Sequence, residues 1–349
     1  MKSIKTRIVL LALAGLFIIS LLAACGSQTS QQSAQTSQAQ ETNGEASQTS
    51  AQPSVQPVKL RLADLGANTA NLFVQLGKEK GIFTKYGVDL EIVSFLKGGP
   101  EAISAAASGQ VDLGSIGTPI LTGISKSVPI KVVGSPPQAK MDFVLVARND
   151  IKSVEDLKGK NVGVSSIGGG QQQALQVILK AKGMKEDDVK VIAAGSGTGL
   201  YQAIQSGQLA GAVMSEPYVS KTELDGIGHT LEEAVNYYGE YQHSYIFATD
   251  KYIESNPETI ENFFKAYKES VAYAKDHPDE LIALGKEKLG LDENLLKVIV
   301  DKDIARWDLD CKTDLTGLAN AVKILKDLGN IDKDSPLTPE QYVDKRFVK

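Results

Sequence analysis

Hydrophobic positions between Leu60 and Met214 fall into two series with the same rhythm. In the first, Leu60 to Ala63 reads as a strand, Leu72 to Lys80 as a helix, and Val88 to Phe95 as a strand alternating at period two. Pro100 to Ala107 follows as a helix and Val111 to Ile116 as a strand. The second series repeats this order with Val162 to Ser165, Gln172 to Lys182, Val189 to Ala194, Tyr201 to Gln205 and Ala210 to Met214, and Leu175, Ile178 and Leu179 share one face of its first helix. Ser108-Gly109-Gln110-Val111 through Thr118-Pro119 aligns without a gap on Ser206-Gly207-Gln208-Leu209 through Glu216-Pro217. Alternating strands and helices make parallel sheets with helix-covered faces, so the predicted fold class is α/β with two lobes in tandem.

Past Thr249 the pattern becomes helical. Asn256-Pro257-Glu258 opens a helix whose Ile260, Phe263, Phe264 and Tyr267 lie on one face, His277-Pro278-Asp279 opens a second, and Leu295 to Trp307 forms a third. Helices of this kind need a sheet to cover, and the strand Tyr245 to Thr249 is expected to lead them back to the first lobe. The chain then crosses between lobes near Gln138 to Arg148 and again near Tyr241 to Ala248. Residues 58–145 and 245–349 make lobe I in this reading, and residues 146–244 make lobe II.

The first 57 residues stand apart. Lys2, Lys5 and Arg7 precede an apolar run from Ile8 to Leu22 that is short for a spanning helix, the layout of an export signal over residues 1–24. Leu22-Ala23-Ala24-Cys25 resembles a bacterial lipobox, which implies that Cys25 is lipidated and becomes the new N-terminus. Residues 25–57 are rich in Ser, Gln, Thr and Ala and hold no aromatic residue. A segment of that composition cannot bury enough apolar area to offset its ordering entropy, so it reads as a flexible tether. The folded part is expected outside the cytoplasm, anchored to the outer face of a membrane.

Of the two cysteines only Cys311 remains beyond the anchor, and no metal-ligand spacing surrounds it, so it reads as a half-buried structural thiol. A formal net charge of -5 without a basic cluster argues against nucleic acid as a partner. His243 has neither a nucleophile nor a metal partner in the sequence, and no cofactor motif is present. Tyr237, Tyr238, Tyr241 and Tyr245 read as interlobe packing or as a pocket wall.

Four stretches carry a family resemblance: Glu79-Lys80-Gly81-Ile82-Phe83 with Tyr86-Gly87-Val88, Ser108 to Gly114, Ile151 to Lys160, and Ser215-Glu216-Pro217-Tyr218. Together they resemble the nitrate, taurine and aliphatic-sulfonate branch of type II periplasmic binding proteins, which shares its domain with thiamine-pyrimidine precursor binders. The resemblance implies a non-enzymatic, monomeric solute-binding component of an ABC importer. Its partners would be a small-molecule ligand, a membrane permease and the cytoplasmic ATPase of that permease. A pyrimidine-type precursor, a nitrate-like anion, or an enzyme on the same fold are the alternatives. The pyrimidine-forming enzyme similar to this family looks rich in Cys and His at its site, which this chain is not.

In open parallel sheets, ligands sit beyond the carboxyl ends of strands, where helix N-termini converge. The candidate contacts in the first copy are therefore Asn68, Lys97, Gly99 and Thr118, with Gln138 at the first crossover. The second copy supplies Ser166, Gly168, Gly169 and Gln171 in its Gly-rich loop, and then Ser215, Glu216 and Tyr218. Glycines let backbone amides approach an anion at a helix entrance, although three in a row also make a plain flexible turn. Thr118 has the character of an N-cap. Lys97 is the one basic residue in these loops and Arg is absent, so the expected ligand is a small, singly charged anion or a zwitterion of the taurine type. Its anionic end is expected on Ser166, Gly168 and Gly169 and its amine near Glu216.

Overall fold

The computed structural model describes residues 56–348 apart from 67, 68, 139, 141 and 196. The expected export signal, Cys25 and nearly all of the tether lie outside the described residues, as does Asn68.

The strands are β1 (Val58–Asp64), β2 (Val88–Ser94), β3 (Leu113–Ile116), β4 (Ile130–Gly134), β5 (Val144–Arg148), β6 (Asn161–Val164), β7 (Lys190–Ala193), β8 (Gly211–Met214), β9 (Gly228–Glu233) and β10 (Tyr245–Thr249). They form two five-stranded sheets, ordered β2-β1-β3-β10-β4 and β7-β6-β8-β5-β9. The duplicated sequence thus yields a duplicated topology. In each sheet the three strands of the repeat are parallel, and the fourth in order runs against both of its neighbours. That opposed strand is supplied by the crossover: β10 returns to the first sheet and β5 enters the second.

Period-two burial explains why these strands are sandwiched. In β10, Ile246 and Ala248 join one core cluster while Tyr245 and Phe247 join the cluster on the other face. In β5, Leu145 and Ala147 face one cluster and Val146 the other. One face of the first sheet is covered by helices Leu72–Glu79, Pro257–Asp276, Pro278–Leu289 and Glu293–Arg306. The opposite face is covered by helices Gly99–Ala107, Pro119–Ser125 and Leu315–Asp327. Phe73 sits edge-on to Tyr267 at 5.0 Å and to Trp307 at 5.4 Å, which fixes the end of the helix Glu293–Arg306 against the sheet.

The two copies end their second helices alike, with Gly109 and Gly207 at φ of 72° and 78°, a left-handed turn that a Cβ would strain. Cys311 is buried in the first-sheet core, and burial pushes its thiol up to about 12, so it is an inert packing residue. Of the tyrosines near the second crossover, Tyr245 is core, and Tyr241 packs against clusters of both sheets.

Candidate functional site

The carboxyl ends of β1, β2 and β3 face those of β6, β7 and β8 across a cavity of about 170 Å³. An apolar cavity of about 150 Å³ accommodates benzene, so this space suits one small ring or a short chain with polar ends. From the first sheet it is lined by Leu65, Thr69, Asn71, Gly99, Ser115 and Gly117, and from the second by Ser165, Gly170, Gln171, Ser215, Glu216 and Tyr218. The crossovers add Gln138, Asp142, Phe143, His243 and Ser244, and the helix Glu293–Arg306 adds Asp303.

Local sequence explains how each wall is held. Gln171, in the first turn of the helix Gly170–Ala181, accepts the Ser165 amide proton through Oε1 at 2.6 Å, and Gln172 accepts that of Gly168 at 2.6 Å. The Gly-rich loop therefore satisfies two of its own amides before any ligand arrives. A Cβ on Gly197 would fall 2.1 Å from Tyr218 Cδ2, so the close seat of that ring requires glycine. Tyr218 pairs with Thr198 at 2.5 Å between hydroxyls. Gly117 and Gly170 make room for the His243 ring, since a Cβ on either would stand 2.8 or 3.2 Å from His243 Cε1. The ring also meets Phe143 edge-on at 4.7 Å.

The electrostatics are acidic. Asp303 is 4% exposed, and its Oδ2 accepts from Thr69 Oγ1 at 2.7 Å. Burial raises its pKa to about 7, and the neighbouring Asp142 and Glu216 push in the same direction while Arg306 opposes. Asp142 is raised to about 6 for the same first reason, again moderated by Arg306. His243 is 5% exposed and burial lowers it to about 4, so its imidazole is neutral at physiological pH, with Nδ1 unpartnered among the described residues. Beyond Asp142 and Glu216 the cleft widens into a vestibule of about 510 Å³, where Lys140, Lys302 and Arg306 are found.

Of the residues expected from sequence, the structure brings Gly99, Gln138, Gln171, Ser215, Glu216 and Tyr218 to the cavity wall. Lys97, Thr118, Ser166, Gly168 and Gly169 are not on it. Lys97 is exposed, with its amide held by Glu101. Thr118 is buried and donates across the cleft to Gln173 Oε1 rather than capping its own helix. The hydroxyl of Ser166 is turned toward Gly98 and Gly169, at a close approach of the two lobes. Glu216 is already engaged: its carboxylate accepts from the Ser220 amide at 3.0 Å and hydroxyl at 2.7 Å, and pairs with Lys302 at 3.3 Å.

The residues that sequence reasoning missed are Asp142, Phe143 and Asp303, together with the place of His243 in the wall. Asp303 had a signal. It lies on the face defined by Leu296, Ile299 and Val300, where a carboxylate interrupts an apolar stripe.

Two sheets of this topology, joined by two crossovers and enclosing a cleft at their strand ends, define the two-lobed periplasmic-binding-protein fold. The family model described as NMT1/THI5 like matches residues 68–281, and the chain belongs to that family. A Bacillus subtilis protein provisionally named as aliphatic sulfonates-binding is 27% identical over 237 residues, covering 64% of this chain and 69% of that protein. The riboflavin-binding protein RibY of Chloroflexus aurantiacus is 25% identical over 318 residues, 84% of this chain and 83% of RibY. Among solved structures, the alkanesulfonate-binding protein SsuA from Xanthomonas axonopodis pv. citri, bound to MOPS, superposes with a TM-score of 0.68 at 17% identity. The match covers 84% of this chain and 99% of SsuA. The desulfurization enzyme DSZB shares the fold at a TM-score of 0.56 and 15% identity, over 83% of this chain and 97% of that one, so fold alone does not separate binding from catalysis.

Proposed function

We propose that the chain is the extracytoplasmic, lipid-anchored solute-binding component of an ABC importer, and that it captures a small molecule by closing two lobes and hands it unchanged to a membrane permease with a cytoplasmic ATPase. The observation that carries the reading is a cavity walled by both sheets, with only two crossovers joining them. Such a construction lets ligand shift an open–closed equilibrium, because contacts to both walls exist only in the closed form. Residues 58–145 with 245–349, and residues 146–244, are the two bodies that move, and the protein acts as a monomer. The relatives named as binding proteins support the same role.

The ligand class this cleft favours is a zwitterion of the taurine type over a simple anion. Its wall carries Asp142, Glu216 and Asp303, and among the described residues no Lys or Arg. A planar heterocycle such as a pyrimidine-type precursor is the second reading, favoured by the aromatic corner of Phe143 and His243.

A thermal-shift screen of small metabolites tests the role, since a ligand at 100 times its Kd adds about 2.7 kcal/mol to stability. Mass spectrometry of membrane-extracted protein tests the anchor, with residues 1–24 lost and a lipid added at Cys25 expected. A panel of sulfonates, amines and heterocycles that leaves the melting curve unmoved would refute the role, and an intact Met1 would refute the anchor.

A further inference from the structure

We infer that the cleft reads a protonated nitrogen group, with Asp142 and Asp303 as the paired carboxylates that accept its N–H bonds and His243 as a neutral third contact, while Glu216 belongs to the contact between the lobes. The inference rests on the solute-binding reading above and names the chemistry of that site.

The carboxylates differ in how far each is already used. Both oxygens of Glu216 accept from Ser220, and Lys302 neutralises the group from the first lobe. Asp303 by contrast accepts one hydrogen bond, on Oδ2 from Thr69, and its Oδ1 has no partner among the described residues. It reaches the cavity from the buried face of a helix, so a carboxylate stands where the core pattern calls for an apolar side chain. Burying a charge without a partner is costly, and a cationic ligand removes that cost.

Two residues on the same wall, His243 and Gln138, also hold polar atoms unpartnered among the described residues. His243 Nδ1 is enclosed and without a partner, and so is Gln138 Oε1. Two amides of the Gly-rich loop, those of Ser165 and Gly168, are occupied by Gln171 and Gln172. The cations Lys302 and Arg306 line the vestibule and not the cavity. A negatively charged ligand would thus meet carboxylates inside and cations outside, the reverse of what it needs.

The proton inventory agrees with the geometry. Without ligand, burial above all keeps Asp303 protonated up to about pH 7 and Asp142 up to about pH 6, with Glu216 adding to both, Asp142 adding to Asp303, Arg306 opposing, and neutral His243 as the other titratable neighbour. A ligand cation takes the place of that proton, so binding at pH 6.5 releases protons to the buffer.

The test uses the full chain and two pairs of probes matched in shape: benzamidine against benzoate, and taurine against ethanesulfonate. Calorimetric titration at pH 6.5, in two buffers of different ionisation enthalpy, is expected to show benzamidine binding at least about tenfold tighter than benzoate, taurine tighter than ethanesulfonate, and proton release with benzamidine. D303N should weaken benzamidine roughly 10- to 100-fold, the range for a hydrogen bond to a charged group, and lessen the proton release. D142N should weaken it in the same direction. Circular dichroism and the melting curve establish that each variant is folded. Benzoate or ethanesulfonate binding as tightly as its partner, or D303N retaining full benzamidine affinity, overturns the inference and leaves the solute-binding role standing. Failure of all four probes and of the wider metabolite screen overturns both.

Discussion

Asp303→Asn is expected to make the protein more stable at pH 8 and to change how its stability depends on pH. Asn keeps an acceptor for Thr69 Oγ1, so the substitution removes the charge while preserving the shape and the 2.7 Å hydrogen bond. Because the folded state raises Asp303 to about 7 from an ordinary 3.8, the folded protein retains a proton across that window that the unfolded chain has released. Stability therefore falls as pH rises through the window, by up to about 1.4 kcal/mol per pH unit, and levels off above it. The full raise corresponds to at most about 4 kcal/mol of destabilisation at pH 8, which the variant recovers. Urea denaturation of both proteins at intervals from pH 4 to pH 8 measures this as a difference. His243, lowered to about 4 by burial, contributes with the opposite sign between about pH 4 and 6.5, but it is common to both proteins and cancels. A stability difference that stays constant with pH, or a variant less stable than the parent at pH 8, would falsify the assignment of Asp303 as a buried, uncompensated carboxylate.

Three further outcomes are expected. Glu216→Gln keeps an acceptor for the Ser220 amide, turns the hydroxyl contact into one the amide group donates, and loses a half-exposed ion pair with Lys302, so stability should fall by less than about 1 kcal/mol in chemical denaturation. Gly117→Ala places a methyl 2.8 Å from His243 Cε1, so it should cost about 1–3 kcal/mol in melting experiments and abolish ligand-induced stabilisation by pushing the imidazole into the cavity. Deleting residues 26–57 should leave ligand affinity within error of the full chain, because that segment has no core-forming pattern; a large loss in titration calorimetry would make it part of the site.

The duplicated strands and helices were legible because β3 and β8 are buried throughout and read as short apolar runs, β2 alternates, and the repeat from Ser108 to Pro119 recurs at Ser206 to Pro217. The edge strand β9 was not, since Gly228–Glu233 is only half-buried and its alternation is weak. The helix Leu315–Asp327 also escaped, although Asp314 caps it by accepting from the amides of Thr316 and Gly317. For the site, the strand-end rule pointed to Gly99, Gln171, Ser215, Glu216 and Tyr218, which line the cavity. It could not show that the Gln171 and Gln172 side chains fold back onto the amides of their own loop, because that depends on rotamers. Asp142 and Asp303 are far apart in sequence and border one cavity only through the packing of the last helices on the first sheet. No local motif announces such a pair.

Thr118 and Glu216 occupy the same position in the two copies of the repeat, and each reaches over to the opposite half of the molecule, one to Gln173 and the other to Lys302. The repeat thus carries two different fastenings at equivalent positions. The Thr118–Gln173 side is neutral and enclosed, so dissolved ions hardly touch it. The Glu216–Lys302 side is charged and wetted at the rim, with the lysine 47% exposed, and electrolyte weakens it over a Debye length of about 8 Å at physiological ionic strength. If the halves part as proposed, salt loosens the ionic rim before the enclosed amide contact. On the closure proposed above, ionic strength then tunes the apparent affinity through the open–closed balance, while the contacts made in the closed form stay the same.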